Sequence, residues 1–410
     1  MKIALAQINP TVGDLAGNFR KITEIIQYNS AKCDIVIFPE MCLTGYCLDE
    51  KLLNNIKFIK ENKRVLMEEI VPASMGIAVV VGFLDFNAEC SQPGSAMIRY
   101  NAAAIAQNGK LLQIVHKRLL PAYRYFDDTR YFTAGREVEP VAIQVTDGTV
   151  LIGVLICEDL WEEDYDFKPC TIYGEKKVDY LFSINASPFV GSRVGDRDGK
   201  RFQRAALIQD QVNRCGVAIT YLNTVGVGDN GKNIIPFDGM SMAYGSDRQL
   251  VATLKQFDED QQIVSFENGN AQSIIEPIFD RDEEIFKALV MGVRDYYNKM
   301  GIFTKVLETV SGGIDSALGT AIAYEAMGPE LLSLYNLPSK FNSRQGQDLS
   351  RQLAQNFGLE YHVIPIQEVV DQVVKDFEKY LHSIQSSTTV ENLQSRIRGL
   401  IMMAESNDQR

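Results

Sequence analysis

Residues 153–161 read GVLICEDLW and close a hydrophobic run that begins at Thr149. A short apolar run of this kind is typical of a strand buried inside a sheet. The run ends at Cys157, which Glu158 and Asp159 follow directly. Neighbouring carboxylates raise the pKa of a thiol and weaken it as a nucleophile. Cys157 is therefore either an ordinary buried cysteine or a nucleophile whose base lies elsewhere in the chain.

Similar strand-like runs recur through the first part of the chain, among them IALAQI, DIVIFPE, GIAVVVGF, YLFSINAS and VAITYLNT. Amphipathic, helix-like stretches separate them. The turn sequences QNGK at 107–110 and TDGT at 146–149 favour antiparallel hairpins. This density of hydrophobic strands predicts a sheet-rich α/β domain whose strands are buried on at least one face.

The hydrophobic pattern is interrupted around residues 258–276, which are polar and contain Gly and Asn. We place a linker at 266–279, between a first domain at 1–265 and a second at 280–410. In the second domain a long helix comes first, and strand-like and helix-like segments then alternate. That alternation predicts a doubly wound parallel α/β sheet.

Composition excludes several classes of protein. The net charge of −12 argues against general affinity for nucleic acid or an anionic membrane. No apolar stretch approaches the ~18 residues of a transmembrane helix, and the N-terminal apolar segment is too short for a signal peptide. The seven cysteines form no CxxC pair and only three histidines are present, which indicates a reducing, cytoplasmic setting without structural metal.

Three polar residues each end a predicted buried strand: Glu40, Lys117 and Cys157. Side chains at strand ends converge on sites in sheet proteins. A lysine lowers the pKa of a nearby thiol and can hold an oxyanion, while a glutamate can carry the thiol proton to a leaving amine. The three residue types suit a covalent amidase, although each also has an ordinary structural interpretation as a buried thiol or a solvated charge.

Three sequence blocks surround these residues: FPEMCLTGY at 38–46, HKRLLPAYRYFDDTRYF at 116–132 and GVLICEDLW at 153–161. In this order they resemble the catalytic blocks of the nitrilase superfamily, and most closely the glutaminase domain of glutamine-dependent NAD synthetases. The resemblance implies a nitrilase-like α-β-β-α sandwich. It also implies Glu40 as general base, Lys117 as transition-state stabiliser and Cys157 as nucleophile.

The same resemblance implies residues that contact glutamine, namely Tyr123, Ser187 and, at the position of a family lysine, Arg193. Tyr123 could instead be a core aromatic with a locally satisfied hydroxyl. Asp128 stands where the family commonly has a glutamate that positions the catalytic groups. Because Asp128 is one methylene shorter than glutamate, its carboxylate reaches less far toward the catalytic groups.

Residues 311–317, SGGIDSA, follow a predicted strand and open a helix predicted at Ala317–Met327. Two glycines allow close backbone approach to a phosphate, and a helix N-terminus offers N–H donors. The stretch lacks the Lys-Ser/Thr of a P-loop. A simple turn with a helix cap at Asp315 or Ser316 is the alternative.

SGGIDS also resembles the pyrophosphate loop of ATP pyrophosphatases, and LPSKFNS at 337–343 and ENLQSRIRG at 391–399 resemble further blocks of NAD synthetases. The resemblance implies that Asp315 helps bind Mg²⁺ and that Asn392 contacts deamido-NAD. The implied ATP contacts are Thr309, Val310, Ser311, Gly312, Gly313, Ile314, Asp315 and Ser316. An acid at Glu308 is unfavourable near a triphosphate unless its side chain points away.

In the family a further strand and a metal-binding loop follow the ENLQ block, so we expect the second domain of this 410-residue chain to be incomplete. The leading hypothesis is a ligase, a glutamine-dependent NAD synthetase that uses small-molecule substrates and, by resemblance, forms a homo-oligomer. The alternatives are a stand-alone carbon–nitrogen hydrolase with a non-functional synthetase remnant and a non-catalytic scaffold.

Overall fold

The computed structural model describes residues 1–46, 50–87, 98–123, 126–191, 199–229, 233–266, 279–384 and 386–408. These residues divide into two compact units, Met1–Ala288 and Leu289–Arg410. Most of the predicted linker, residues 267–278, lies outside the described residues. Within the described part of the chain, no helix is both long and apolar enough to cross a membrane.

The strands of the first unit are β1 (Lys2–Gln7), β2 (Ile35–Ile37), β3 (Ala78–Asn87), β4 (Ile98–Gln107), β5 (Lys110–His116), β6 (Val141–Val145), β7 (Gly148–Ile156), β8 (Tyr180–Asn185), β9 (Ala218–Asn223), β10 (Val225–Asp229), β11 (Ile234–Asp238), β12 (Met242–Tyr244), β13 (Leu250–Thr253) and β14 (Asp260–Ser265). Its helices are α1 (Leu15–Asn29), α2 (Glu50–Leu53), α3 (Ile56–Val65), α4 (Val71–Ala73), α5 (Asp128–Tyr131), α6 (Pro169–Glu175) and α7 (Lys200–Cys215). The helix α8 (Arg281–Met300) contains the division between the units.

The first unit contains two six-stranded mixed sheets, in the orders β14-β1-β2-β3-β4-β5 and β13-β12-β9-β8-β7-β6, and a two-stranded sheet of β10 and β11. The predicted hairpins are confirmed, because Gln107 pairs with Lys110 and Val145 with Gly148 in antiparallel ladders. Parallel pairs of β1 with β2 and of β7 with β8 place several strand ends at a common edge of each sheet.

Alternation along the strands explains the layering. Ile3 and Leu5 of β1 belong to the core between the two sheets, together with Val154 and Ile156 of β7. The intervening residues face outward, where α1, α3 and α4 cover the first sheet and α6 and α7 cover the second. Successive side chains point alternately to the other sheet and to the helices. Because both faces of each strand are buried, the strands appear in the sequence as continuous apolar runs. The predicted α-β-β-α sandwich is confirmed.

The second unit contains a parallel three-stranded sheet, β15 (Val306–Thr309), β16 (Leu332–Asn336) and β17 (Glu360–Val363), in that order. Its helices are α9 (Ile314–Met327), α10 (Arg344–Phe357), α11 (Gln367–Tyr380) and α12 (Ser387–Asp408). Helices α9 and α10 pack on one face of the sheet, and α11 and α12 pack on the other. Both faces of a parallel sheet are thus covered, as the alternating sequence pattern predicts.

Candidate active site

Three predicted site residues follow strand ends in the first unit. Glu40 lies in the turn after β2, Lys117 directly follows β5, and Cys157 directly follows β7. Their exposed fractions are 1%, 1% and 4%, respectively. Burial of a carboxylate, an ammonium and a thiol is costly unless they are paired, so their partners decide what the site can do.

Lys117 is paired with two carboxylates. Its Nζ lies 2.8 Å from Glu40 Oε1 and 2.8 Å from Asp128 Oδ2. Glu40 also accepts hydrogen bonds from Asn101 Nδ2 at 2.7 Å and from the backbone N–H of Ala186 at 2.6 Å. Each Glu40 oxygen therefore has a donor, and the carboxylate is held in one orientation before any substrate arrives.

The charge state of Lys117 follows from these contacts. Burial alone would lower the pKa of its ammonium, but Asp128 and Glu40 outweigh burial and hold that pKa well above the ordinary value. Asp128, although one methylene shorter than the family glutamate, reaches Lys117, and it accepts a hydrogen bond of 2.7 Å from Tyr46 Oη. The aspartate side chain is therefore long enough to form an ion pair with Lys117.

The Cys157 thiol has a raised pKa. Burial is the main cause, and the charges of Glu40 and Glu158 add to it, while Lys117 acts in the opposite direction. Lys117 thus does not by itself make Cys157 a thiolate, and the acid that follows Cys157 contributes to its field. A thiol in this setting rests protonated and needs a base to become a nucleophile.

The backbone at Cys157 is in the left-handed region, with φ of 49°. A non-glycine residue in this region is strained by roughly 1–3 kcal/mol, and such strain clusters at functional sites. Cys157 occupies the junction where β7 passes into the 3₁₀ helix Cys157–Leu160. The sharp turn thus places the thiol at the end of its strand.

Asp159 joins the strand end of Lys117 to that of Cys157. Its Oδ1 accepts from the backbone N–H groups of Arg118 and Leu119, both at 2.9 Å. Its Oδ2 accepts from Arg118 Nη1 and from the backbone N–H of Ile156, both at 3.1 Å. One buried carboxylate therefore fixes the spacing of the residues that flank Lys117 and Cys157.

Glu158 forms a second acidic position beside the thiol. Tyr123 Oη donates to it at 3.0 Å, and Tyr165 Oη donates at 2.9 Å. Burial raises the pKa of the Glu158 carboxyl, and the two hydroxyl donors partly offset this. Tyr123 is 46% exposed, so it is not the core aromatic considered as an alternative.

Ser187 is buried next to Ala186 and is held by Arg204 and Asn223. Arg204 Nη2 donates to Ser187 O at 3.0 Å and to its Oγ at 3.2 Å, and Ser187 N donates to Asn223 Oδ1 at 2.9 Å. Arg204 is itself fully buried and paired with Asp238 at 2.8 Å. Arg193, the third predicted glutamine contact, lies outside the described residues.

In the second unit, residues 310–313 form a tight turn after β15, and residues 314–316 form the first turn of α9. Ser316 Oγ donates to Gly313 O at 2.9 Å, and the hydroxyls of Ser311 and Ser316 lie 3.3 Å apart. Gly312 has φ of 86°, and a Cβ there would lie 2.1 Å from Gly346 O, so this position requires glycine. Helix α9 begins at Ile314 rather than at the predicted Ala317.

The polar groups of this loop face solvent. Thr309, Asp315 and the backbone of Gly313 are exposed, and Ile314 is 81% exposed, whereas Val310 is buried in the sheet. Glu308 points toward Gly319 and Thr320 of α9, away from the loop surface. The described residues contain no cluster of three His, Cys, Asp or Glu that could hold a metal.

The LPSKFNS segment at 337–343 and the ENLQSRIRG segment at 391–399 are in contact in the second unit. Ser339 Oγ donates to Gln394 Oε1 at 2.7 Å, and Arg398 Nη2 donates to Asn342 Oδ1 at 3.2 Å. A cavity of about 500 Å³ opens between the blocks. Its lining residues are Phe341, Asn342, Ser387, Val390, Glu391, Gln394 and Arg398. Asn392 is exposed on α12 and does not line this cavity, although its neighbour Glu391 does.

Comparison with known proteins identifies both parts of the chain. A carbon–nitrogen hydrolase family model matches residues 2–275, and an NAD synthase family model matches residues 285–410. A glutamine-dependent NAD(+) synthetase from Thermotoga maritima is 31% identical over an alignment that covers 99% of this chain and 72% of that protein. The chain belongs to the glutamine-dependent NAD(+) synthetase family.

Solved structures agree with this membership. The glutamine-dependent NAD+ synthetase of Acinetobacter baumannii, determined in complex with adenosine diphosphate, has a TM-score of 0.86 and 28% identity, covering 99% of this chain and 72% of that one. An amidase from Nesterenkonia sp. has a TM-score of 0.50 at 18% identity, covers 64% of this chain and 89% of its own, and shows a shared nitrilase-type fold.

For a member of the glutamine-dependent NAD(+) synthetase family, the sequence motifs located the three strand-end residues. They did not locate most of the residues that hydrogen-bond to the site and hold it in place. Asn101, Tyr46 and Arg204 carried no local motif. Asp159 had a signal, since an acid in the turn after a buried strand can accept the backbone N–H groups of that turn. Glu158 was considered only as an electrostatic burden on the thiol.

Proposed function

We propose that this chain is a glutamine-hydrolysing NAD synthase. Its first unit would release ammonia from L-glutamine, and its second would use ATP to amidate deamido-NAD to NAD. The observation that carries this proposal is the buried contact of Lys117 with Glu40 beside the Cys157 thiol, with each residue placed just after a strand. Membership of the family supplies the reaction that this arrangement serves.

In the proposed glutaminase step, Glu40 takes the proton of the Cys157 thiol as the sulfur attacks the amide carbon of glutamine. The proton then passes to the leaving nitrogen, the C–N bond breaks, and ammonia departs from a thioester. Water, deprotonated by Glu40, hydrolyses that thioester to glutamate. A fixed Glu40 suits this role because Asn101 and Ala186 orient its carboxylate.

Lys117 is proposed to stabilise the tetrahedral oxyanion. Two of its N–H bonds are directed at Glu40 and Asp128, which leaves one ammonium proton for the developing negative charge. The ammonium stays charged because both carboxylates raise its pKa against burial. In a water-poor site such a preorganised charge stabilises a transition state more than it would in water.

Glutamine recognition is proposed to involve Tyr123, Ser187 and Arg193 from the resemblance, with Glu158 added from the geometry. An acid beside the thiol would bind the α-ammonium group of glutamine. Its two tyrosine donors hold the Glu158 carboxylate in place for this contact.

For the synthetase step we propose that residues 309–316 bind the phosphates of ATP, and that Asn392 contacts deamido-NAD. The exposed Ser311 hydroxyl and Gly313 backbone, at the N-terminus of α9, fit a phosphate ligand. Asp315 would hold Mg²⁺ as a single carboxylate, and Mg²⁺ commonly takes its other ligands from phosphates and water. When bound, Mg²⁺ neutralises phosphate charge. The products would be AMP, pyrophosphate and NAD.

The domain limits at 265 and 280, homo-oligomer formation and a cytoplasmic location stay predictions from sequence and resemblance. The proposed glutaminase and synthetase reactions do not depend on any of these three predictions.

A coupled assay tests the function. The purified chain would receive glutamine, ATP, Mg²⁺ and deamido-NAD, and glutamate, AMP and NAD would be followed separately. The proposal expects all three products. Glutamate alone would indicate a stand-alone hydrolase, and none of the three would indicate a scaffold.

A further inference from the structure

Two cysteines outside the candidate active site lie in contact. Cys170 is in the first turn of α6, and Cys215 is the last residue of α7. Their Sγ atoms are 3.6 Å apart, and the Cys215 thiol also lies 3.3 Å from Cys170 O. The contact joins residues that are 45 positions apart in the sequence, so it depends on the packing of α6 against α7.

The two thiols differ in access and in acidity. Cys170 is fully buried, whereas Cys215 is partly exposed. A hydrogen bond from Cys170 lowers the pKa of Cys215, with Arg214 acting in the same direction against burial and Glu162. The same hydrogen bond and burial raise the pKa of Cys170. Because a reagent in solution reaches the partly exposed Cys215 first, Cys215 suits the attacking role and the buried Cys170 suits the resolving role.

We infer that Cys170 and Cys215 form a redox pair that closes reversibly to a disulfide when a low-molecular-weight disulfide is present. In the first step the Cys215 thiolate attacks one sulfur of glutathione disulfide, forming a protein–glutathione mixed disulfide and releasing one glutathione thiolate. In the second step the Cys170 sulfur attacks the Cys215 sulfur, the bond from Cys215 to glutathione breaks, and the departing glutathione sulfur takes the Cys170 proton. Two protein thiols are oxidised and one glutathione disulfide is reduced to two glutathiones.

Closing the bond requires little movement. The sulfurs must approach by about 1.5 Å to reach the usual S–S length of ~2.05 Å. The backbones already meet here, since a Cβ on Gly174 of α6 would lie 3.0 Å from Cys215 Cα.

The pair lies behind the turn that carries Cys157. The backbone N–H of Cys170 donates to Glu162 Oε2 at 2.7 Å, and Gln211 Nε2 of α7 donates to Leu160 O at 3.0 Å. Helices α6 and α7 thus each support residues 160–162, and the disulfide would join the two supports. We expect the oxidised form to unfold at a higher temperature than the reduced form.

Peptide mapping after oxidation tests the pair. The Cys157→Ala chain, which lacks the competing active-site thiol, would be incubated with glutathione disulfide, alkylated and digested. A Cys170–Cys215 cross-linked peptide that disappears with dithiothreitol should exceed the Cys215–glutathione adduct by about tenfold, because the resolving thiol is held in place. In a Cys170→Ser variant, the glutathione adduct at Cys215 should accumulate instead.

The matched control is Cys33→Ser, which should form the cross-link as the parent does, because burial raises the pKa of Cys33 to about 11 and it lies at a different site. Circular dichroism would check that each variant is folded. A stable glutathione adduct at Cys215 in the presence of Cys170 would overturn the inference, as would an unreactive Cys215.

Discussion

The two candidate sites differ in how their polar groups meet solvent. In the first unit Glu40, Lys117 and Asp128 are buried and already paired with one another. In the second unit the polar groups of residues 311–316 are largely exposed, and the Ser311 and Ser316 hydroxyls hydrogen-bond to atoms of this same segment. The first site is assembled before substrate arrives, whereas the second presents donors to a ligand.

The difference follows from the chemistry proposed for each. A covalent attack on an amide needs a base and a cation at fixed positions in a water-poor pocket. Phosphate binding needs backbone donors, while the ligand and its Mg²⁺ bring most of the charge. Substitutions in the first site should therefore affect both stability and catalysis, and substitutions in the second should affect mainly ligand affinity.

Cys157→Ala should give the largest effect. Loss of the nucleophile is expected to lower glutamine hydrolysis by about 10⁴-fold or more. NAD formation from added ammonium chloride should persist, because the second unit does not need the thiol. Glutamate release and NAD formation measure the two halves separately. Surviving glutamine turnover would remove Cys157 as the nucleophile, and Cys33→Ala serves as the control.

Asp128→Asn should couple loss of activity to loss of stability. It leaves the buried Lys117 ammonium with one carboxylate fewer, which costs about 3–5 kcal/mol for a broken buried pair. Glutaminase activity should fall by about 10²-fold, the scale of losing a positioning contact. Urea unfolding and glutamate release would measure both. The neighbouring Asp127→Asn, at a half-exposed side chain, should change neither, and equal effects of the two would contradict the preorganised site.

Asp315→Ala should separate the two sites most sharply. We expect the KM for ATP to rise by about 10–100-fold and glutaminase activity to stay unchanged. Glu325→Ala changes another exposed acid on the same helix and is the matched control. Pyrophosphate release at varied ATP and Mg²⁺ would measure the effect. Unaltered ATP dependence would remove the loop from nucleotide binding.

Glu308→Gln should give the smallest effect, seen only in the dependence of stability on pH. Burial raises the pKa of the Glu308 carboxyl from 4.5 to about 7, and its Oε2 has no hydrogen-bond partner in the folded chain. Ionisation above pH 4.5 therefore favours the unfolded chain, and wild-type stability should fall between about pH 4.5 and 7.

The glutamine side chain carries no such charge, so the advantage of Glu308→Gln should grow across that window and then level off. Because Glu308 is only partly buried, we expect roughly 1 kcal/mol. Thermal unfolding at pH 5 and pH 8 would measure it. A variant that lost stability relative to wild type at pH 8 would contradict the burial argument.

Local pattern predicted the strand ends, because apolar runs and turn residues mark where a strand stops. It therefore located Glu40, Lys117 and Cys157, and also the hairpins of the first unit. It could not locate Asn101 or Tyr46, whose partners lie 61 and 82 residues away in the sequence. The start of α9 was placed three residues late, because Gly313 caps the helix without a side-chain signal.

The left-handed backbone at Cys157 limits which residue could replace it. A β-branched side chain is strongly disfavoured at positive φ. Threonine carries a nucleophilic hydroxyl, but its β-branched side chain would strain the backbone at this position. Serine and cysteine remain compatible with the turn, and of these only cysteine offers a thiol. The backbone conformation at residue 157 thus limits which nucleophilic side chains this position can accept.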